Sequence, residues 1–169
     1  MAASGFTPLD NSRVGFPGHR FGLTGCLETK MPEGGMSFEL AMLAASCVLC
    51  LAQVVVSSHA TSLQRGYRWT ASSRDAQVLP LTGVAGRLER ALANLVETFP
   101  VFVAAVLLVH VLGREGTLSA WGAGLYFSAR LVYVLLYAMG VPFLRSMVWN
   151  IAFVGIVLLL VATIWPWPW

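Results

Sequence analysis

Between Leu40 and Gln64 the chain carries no aspartate, glutamate, lysine or arginine. A run of that length reads as a membrane span, because the hydrocarbon core is about 30 Å thick and roughly 20 helical residues cross it. Lipid offers no water to the backbone, so the segment must satisfy its own amides as an α-helix. Three further apolar stretches follow, over about 84–112, 117–139 and 144–165, after an opening span of about 40–64. Polar or Gly/Pro-containing turns separate them. Composition agrees: 57% of residues are hydrophobic, 11% are charged and mean hydropathy is +0.71, whereas a soluble domain carries roughly 25% charged residues. The expected fold is all-α, an integral membrane four-helix bundle over residues 36–169, with no length left for a separate soluble domain.

Residues 1–35 hold seven glycines and three prolines without apolar periodicity. They read as a disordered leader or a mis-assigned start, with Met31 or Met36 as the alternative first residue. No apolar core of about 7–15 residues precedes Met36, as a signal peptide would require. The net charge of +3 comes from scattered arginines and Lys30. With no basic run and no interleaved aromatics, a nucleic-acid partner is not expected. Cys47 and Cys50 spell C-x-x-C, but an apolar helix disfavours the thiolate that redox or metal chemistry needs, so packing is the preferred reading. His59 and His110 have no partner at ligand spacing, and no metal is expected.

Two polar stripes interrupt the apolar spans. At about 100° per residue, Arg90, Asn94 and Glu97 fall in a narrow arc of the second span, with Arg87 at its edge. Pro100 lies in the same span and predicts a kink over 96–99. In the third span Tyr126, Arg130, Tyr133 and Tyr137 share one face. Ionisable groups at membrane depth cost several kcal/mol unless they are paired or face a wet cavity, so both stripes are candidate functional faces. Ala120, Gly124 and Ser128 add small-xxx-small spacing suited to close helix contact. The tryptophans at 165, 167 and 169 read as an interfacial belt.

Arginines cluster after the first span (Arg65, Arg68, Arg74, Arg87) and after the third (Arg145), against Lys30 and Arg114 on the other side. The positive-inside rule places the first and third loops in the cytoplasm and both termini opposite. Both stripes then converge on the cytoplasmic half. Arginine forks facing a crevice there suit a small zwitterion with more than one carboxylate. No Ser-His-Asp, Cys-His or Gly-rich phosphate motif is present, so a nucleophile would have to arrive with a substrate, its thiolate stabilised by arginine.

Arg90-Ala-Leu-Ala-Asn94-Leu-Val-Glu97-Thr-Phe-Pro100 and Ala129-Arg130-Leu-Val-Tyr133-Val-Leu-Leu-Tyr137 resemble the membrane-associated proteins in eicosanoid and glutathione metabolism, the MAPEG family, over about residues 38–165. The resemblance implies a homotrimer with glutathione bound as co-substrate between protomers. It implies that Arg87, Arg90, Asn94, Glu97, Arg130, Tyr133 and Tyr137 hold glutathione, and that Arg145 stabilises its thiolate. It further implies a glutathione-dependent transferase or peroxidase acting on a lipophilic electrophile that reaches the site from membrane lipid. The compact loops and the lack of a retention signal make a bacterial inner membrane the expected location. Two other readings stand beside the enzymatic one. One is a non-catalytic lipid-binding or scaffold protein of the same fold. The other is purely structural, with Arg90, Glu97 and Arg130 forming a salt-bridge network that fixes helix register.

Overall fold

The computed structural model describes residues 35–73 and 79–165. All of the leader but Gly35 lies outside the described residues, as do Arg74 in the first loop and the last two tryptophans. Of the described residues 85% are helical and none lies in a strand. The elements are α1 (Phe38–Arg65), α2 (Tyr67–Thr70), α3 (Gly83–Val111), α4 (Thr117–Met139) and α5 (Pro142–Ile164). All but α2 are long and apolar enough to cross a membrane, and the shortest have 23 residues. At 1.5 Å per residue that is about 35 Å, enough for the hydrocarbon core. The protein is a multi-pass membrane protein of four spanning helices.

Helix ends follow local chemistry. α1 begins two residues before the expected start because Ser37 caps it, accepting from the Leu40 N–H at 3.4 Å, and Glu39 sits in the first turn, where the helix dipole favours a carboxylate. α5 also begins two residues early. Pro142 occupies its first turn, where the missing N–H costs nothing and the fixed φ is already helical. The first loop holds one helical turn, α2, where the sequence predicts none: Gly66 at φ +90° ends α1, and its carbonyl accepts the Thr70 N–H at 3.2 Å to close the turn. α3 stays α-helical through Pro100, so the proline does not end the helix.

α4 and α5 make the closest helix contact. A Cβ on Gly155 would stand 2.7 Å from the Gly122 carbonyl oxygen, and one on Gly122 would stand 2.8 Å from that of Gly155. Apolar helices in lipid gain little from leaving their solvent, so close van der Waals approach of this kind supplies the association energy. The predicted stripe of Ala120, Gly124 and Ser128 is not this contact. It lines an open apolar groove with Phe38, Met42 and Trp121. In the core the Phe102 ring of α3 stacks on Tyr126 of α4 with centroids 3.9 Å apart, above the fully buried Val106, Val109 and Leu159.

The end away from the arginine stripes is tied by polar contacts. Ser119 accepts the Gly116 N–H at 2.8 Å and donates to the buried Glu39 carboxylate. Arg114 donates to the Thr163 carbonyl, one of the unpaired acceptors at the end of α5. His110 pairs with Glu115 at 2.8 Å.

Candidate functional site

Arg130 is the centre of the site. It is 2% exposed, on the face of α4 turned toward α3. Its Nη1 donates to Asn94 Oδ1 at 2.8 Å, and its Nη2 donates to Thr98 Oγ1. The guanidinium carbon stands 5.4 Å from the Tyr126 ring centroid and 5.6 Å from that of Tyr133, within cation–π range. Nε is buried with no hydrogen-bond partner. No carboxylate of the described residues pairs with this cation. A buried guanidinium held by two neutral acceptors and two ring faces is a net positive pole with donor capacity unspent.

The partners of Arg130 are themselves oriented. A guanidinium can only donate, so the amide of Asn94 turns its oxygen inward and leaves its Nδ2 hydrogens for another acceptor. The Thr98 hydroxyl donates to the Leu95 carbonyl at 3.3 Å and lies 3.4 Å from the Tyr126 hydroxyl. Tyr126 is wholly buried. Thr98 thus joins Asn94 and Tyr126 in fixing the cation, a contact that the stripes alone did not show. Spacing holds the signal: Asn94 and Thr98 are i, i+4 on α3, and Tyr126 and Arg130 are i, i+4 on α4.

One turn along α4, Tyr133 and Tyr137 pack with Ala91 of α3 and Val148 and Trp149 of α5. Their rings lie 5.4 Å apart, and the Arg145 guanidinium stands 4.6 Å over the Tyr137 ring. The Tyr133 hydroxyl lies within electrostatic reach of Tyr137, Arg130, Arg145 and Glu97. The fold therefore brings Asn94, Arg130, Tyr133, Tyr137 and Arg145 together. Arg87 is also present, but its Nε donates to the Ala138 carbonyl at 3.1 Å, at the end of α4.

Arg90 and Glu97 make no direct contact with these residues, although the charge of Glu97 reaches the Tyr133 hydroxyl. Both are exposed on the outer face of α3 and have no ion pair or hydrogen bond among the described residues. The salt-bridge network of Arg90, Glu97 and Arg130 does not form: the one ion pair among the described residues is His110 with Glu115, at the other end. The reason is azimuth. Asn94 lies about 40° round the helix from Arg90, toward the buried positions Ala91 and Leu95, while Arg90 and Glu97 point outward.

Among the described residues no group of three histidines, cysteines, aspartates or glutamates is placed to hold a metal, and Cys47 and Cys50 are free thiols. The chemistry within reach is binding of a polar anion by a buried cation, an amide and two phenols, with a second arginine beside them.

A comparison with curated proteins returns no match. The sequence profile of the MAPEG family matches residues 42–165, which takes in nearly all of the described bundle and every residue of the site. That family includes glutathione transferases and peroxidases among other activities. On that match, and with four helices long and apolar enough to span a membrane, the chain belongs to the MAPEG family.

Proposed function

We propose that the protein is a glutathione-dependent membrane transferase, with peroxidase activity toward lipid hydroperoxides as a second outlet of the same activated thiol. The observation that carries this reading is Arg130: a cation 2% exposed with no counter-ion among the described residues. At membrane depth such a charge calls for an anion from outside the protomer. Glutathione supplies carboxylates for Arg130 and a carbonyl or carboxylate acceptor for the Asn94 amide hydrogens. Arg90 and Glu97, exposed two turns apart on one face of an apolar helix, are costly in lipid and fit a surface covered by a second protomer and the ligand together. A homotrimer with glutathione between protomers meets both needs.

In this reading Arg145 faces the thiol. Its positive charge stabilises the thiolate over the thiol, lowering a pKa of about 8.5 toward neutrality. The thiol proton leaves to solvent, and the sulfur attacks an electrophilic carbon, forming a C–S bond as a halide departs or an epoxide C–O bond opens and its oxygen takes a proton. With a hydroperoxide, two glutathione thiols are oxidised to one disulfide while the O–O bond is reduced to an alcohol and water. The arginines of the first and third loops support a site at the cytoplasmic side, with the lipophilic substrate arriving through the bilayer.

The test is glutathione-dependent thermal stabilisation of the detergent-purified protein, followed by turnover with an aryl halide and a lipid hydroperoxide. Stabilisation with turnover supports the proposal, and Arg145→Ala should then lose turnover while keeping glutathione binding. An intact oligomer that millimolar glutathione leaves unshifted would sink it. The non-catalytic lipid-binding reading draws on the apolar groove of about 430 Å³ between α1 and α4, lined by Phe38, Met42, Trp121 and Leu125. Fatty-acid binding without turnover of either electrophile would favour it.

A further inference from the structure

The family resemblance places Arg87 among the ligand-binding residues, yet its contacts in the fold are with backbone. Its Nε–H donates to the Ala138 carbonyl at 3.1 Å. That carbonyl lies in the last turn of α4, where acceptors have no partner further along the helix. The guanidinium then lies flat across the chain reversal. A Cβ on Gly140 would stand 3.3 Å from Nη1 and 3.5 Å from Cζ of Arg87, so a side chain there would press on the guanidinium and shift it by a few tenths of an ångström. Gly140 also has φ +82°, the left-handed conformation that favours glycine. Its N–H and that of Val141 return to the Leu136 carbonyl at 3.0 and 3.1 Å, so the turn is closed on the α4 side by its own backbone and on the α3 side by Arg87.

Just past the turn stands Arg145, the residue on which the proposed chemistry depends. α5 begins at Pro142, and Arg145 projects from its first turn to lie 4.6 Å over Tyr137. The reversal from α4 to α5 has two residues, Gly140 and Val141, too few to absorb a shift without moving the start of α5. We infer that Arg87 is a positioning residue: it clasps the α4–α5 turn to α3 and thereby sets where Arg145 stands, instead of touching glutathione. This rests on the proposed role of Arg145. Lysine is a poor substitute, because a single ammonium on a flexible stem cannot both donate to Ala138 and lie flat on Gly140.

Two measurements on the full-length protein in detergent test the inference, with Arg87→Gln, Arg87→Lys and Gly140→Ala beside wild type. Amide hydrogen exchange over residues 138–146 reads the clasp without glutathione. Arg87→Gln should speed exchange of the turn and the first turn of α5 by about tenfold or more while leaving α1 and the core of α3 unchanged; unaltered exchange there overturns the inference. The second measurement compares glutathione affinity, kcat and the apparent pKa of the bound thiol. Each variant should hold affinity within about threefold, lose about tenfold in kcat and raise the thiol pKa toward that of free glutathione. Gly140→Ala should do this with Arg87 intact. An affinity that falls tenfold in Arg87→Gln with kcat and thiol pKa preserved makes Arg87 a ligand residue and refutes the clasp. If wild type forms no thiolate with bound glutathione, the reading of Arg145 fails by itself, and the exchange result still decides whether Arg87 holds the turn and the start of α5.

Discussion

Replacing Thr98 by valine isolates the hydroxyl that holds Arg130, because valine keeps the branched shape. The Thr98 hydroxyl has one proton and two lone pairs. The proton goes to the Leu95 carbonyl, and the lone pairs face Arg130 Nη2 and the Tyr126 hydroxyl. Arg130 is 2% exposed and Tyr126 is 0% exposed, so neither recovers a water when the acceptor is lost. A stranded buried donor costs about 1–3 kcal/mol, with charged donors at the upper end. Side-chain hydrogen bonds between membrane helices average only about 0.6 kcal/mol and reach about 1.7, because the unfolded chain in lipid also finds partners. The two ranges overlap between about 1 and 1.7 kcal/mol, so Thr98→Val should cost about 1.5 kcal/mol, nearly all of it from Arg130, since the Tyr126 contact is long. Thr98→Ser keeps the acceptor and loses one methyl, about 0.8 kcal/mol. The predicted order of stability is wild type, then serine, then valine, measured by reversible denaturation in mixed micelles. Valine within about 0.5 kcal/mol of wild type, or serine less stable than valine, would show that the methyl group matters at this position and that the hydroxyl does not.

Contacts elsewhere in the bundle give further expected outcomes. Gly155→Ala places a Cβ 2.7 Å from the Gly122 carbonyl oxygen and 2.9 Å from the Tyr126 amide nitrogen; both are backbone atoms, so α4 and α5 must separate, at about 1–3 kcal/mol, read as a fall in unfolding temperature. Arg130→Lys keeps the charge but cannot reach Asn94 and Thr98 together, and isothermal titration should show glutathione affinity lower by about tenfold with an unchanged elution volume. The Ser37 hydroxyl and then His110 hold the Glu115 carboxyl below its ordinary range. A carboxyl depressed in the folded state adds stability that is present above the unfolded value of 4.5 and is lost as pH falls through the folded value. The side chain is about one-third exposed, so Glu115→Gln should cost no more than about 1 kcal/mol at neutral pH and nothing in strong acid, measured by thermal melts at the two pH values.

The spans were legible because lipid imposes its thickness on the sequence: the uncharged run after Leu40 and the turn formers at Gly113, Gly116, Gly140 and Pro142 mark helices to within two residues. The α2 turn was not legible, since Tyr67–Thr70 carries too few residues for any periodicity and depends on the backbone of Gly66. The polar stripes were visible as arcs, but an arc does not say which of its edges faces inward. Asn94 lies on the inner edge and meets Arg130, while Arg90 and Glu97 lie on the outer edge and pair with none of the described residues. For that reason an opposite-charge pairing that the spacing allows does not occur. Thr98 escaped notice because a threonine in an apolar helix is an ordinary core residue until a cation is found against it, whereas Tyr126 was already visible on the face of Arg130. Small-residue spacing also misled: Gly122 and Gly155, on different helices with no shared periodicity, make the close contact that the stripe from Ala120 to Ser128 does not.

If the site binds glutathione and ionises its thiol beside Arg145, a thiolate absorbance titration of the purified oligomer with glutathione at neutral pH will show it. The expected result is a saturable thiolate signal in wild type that is lost in Arg145→Ala while thermal stabilisation by glutathione persists. Glutathione that stabilises the wild-type protein with no thiolate signal at saturation would contradict it.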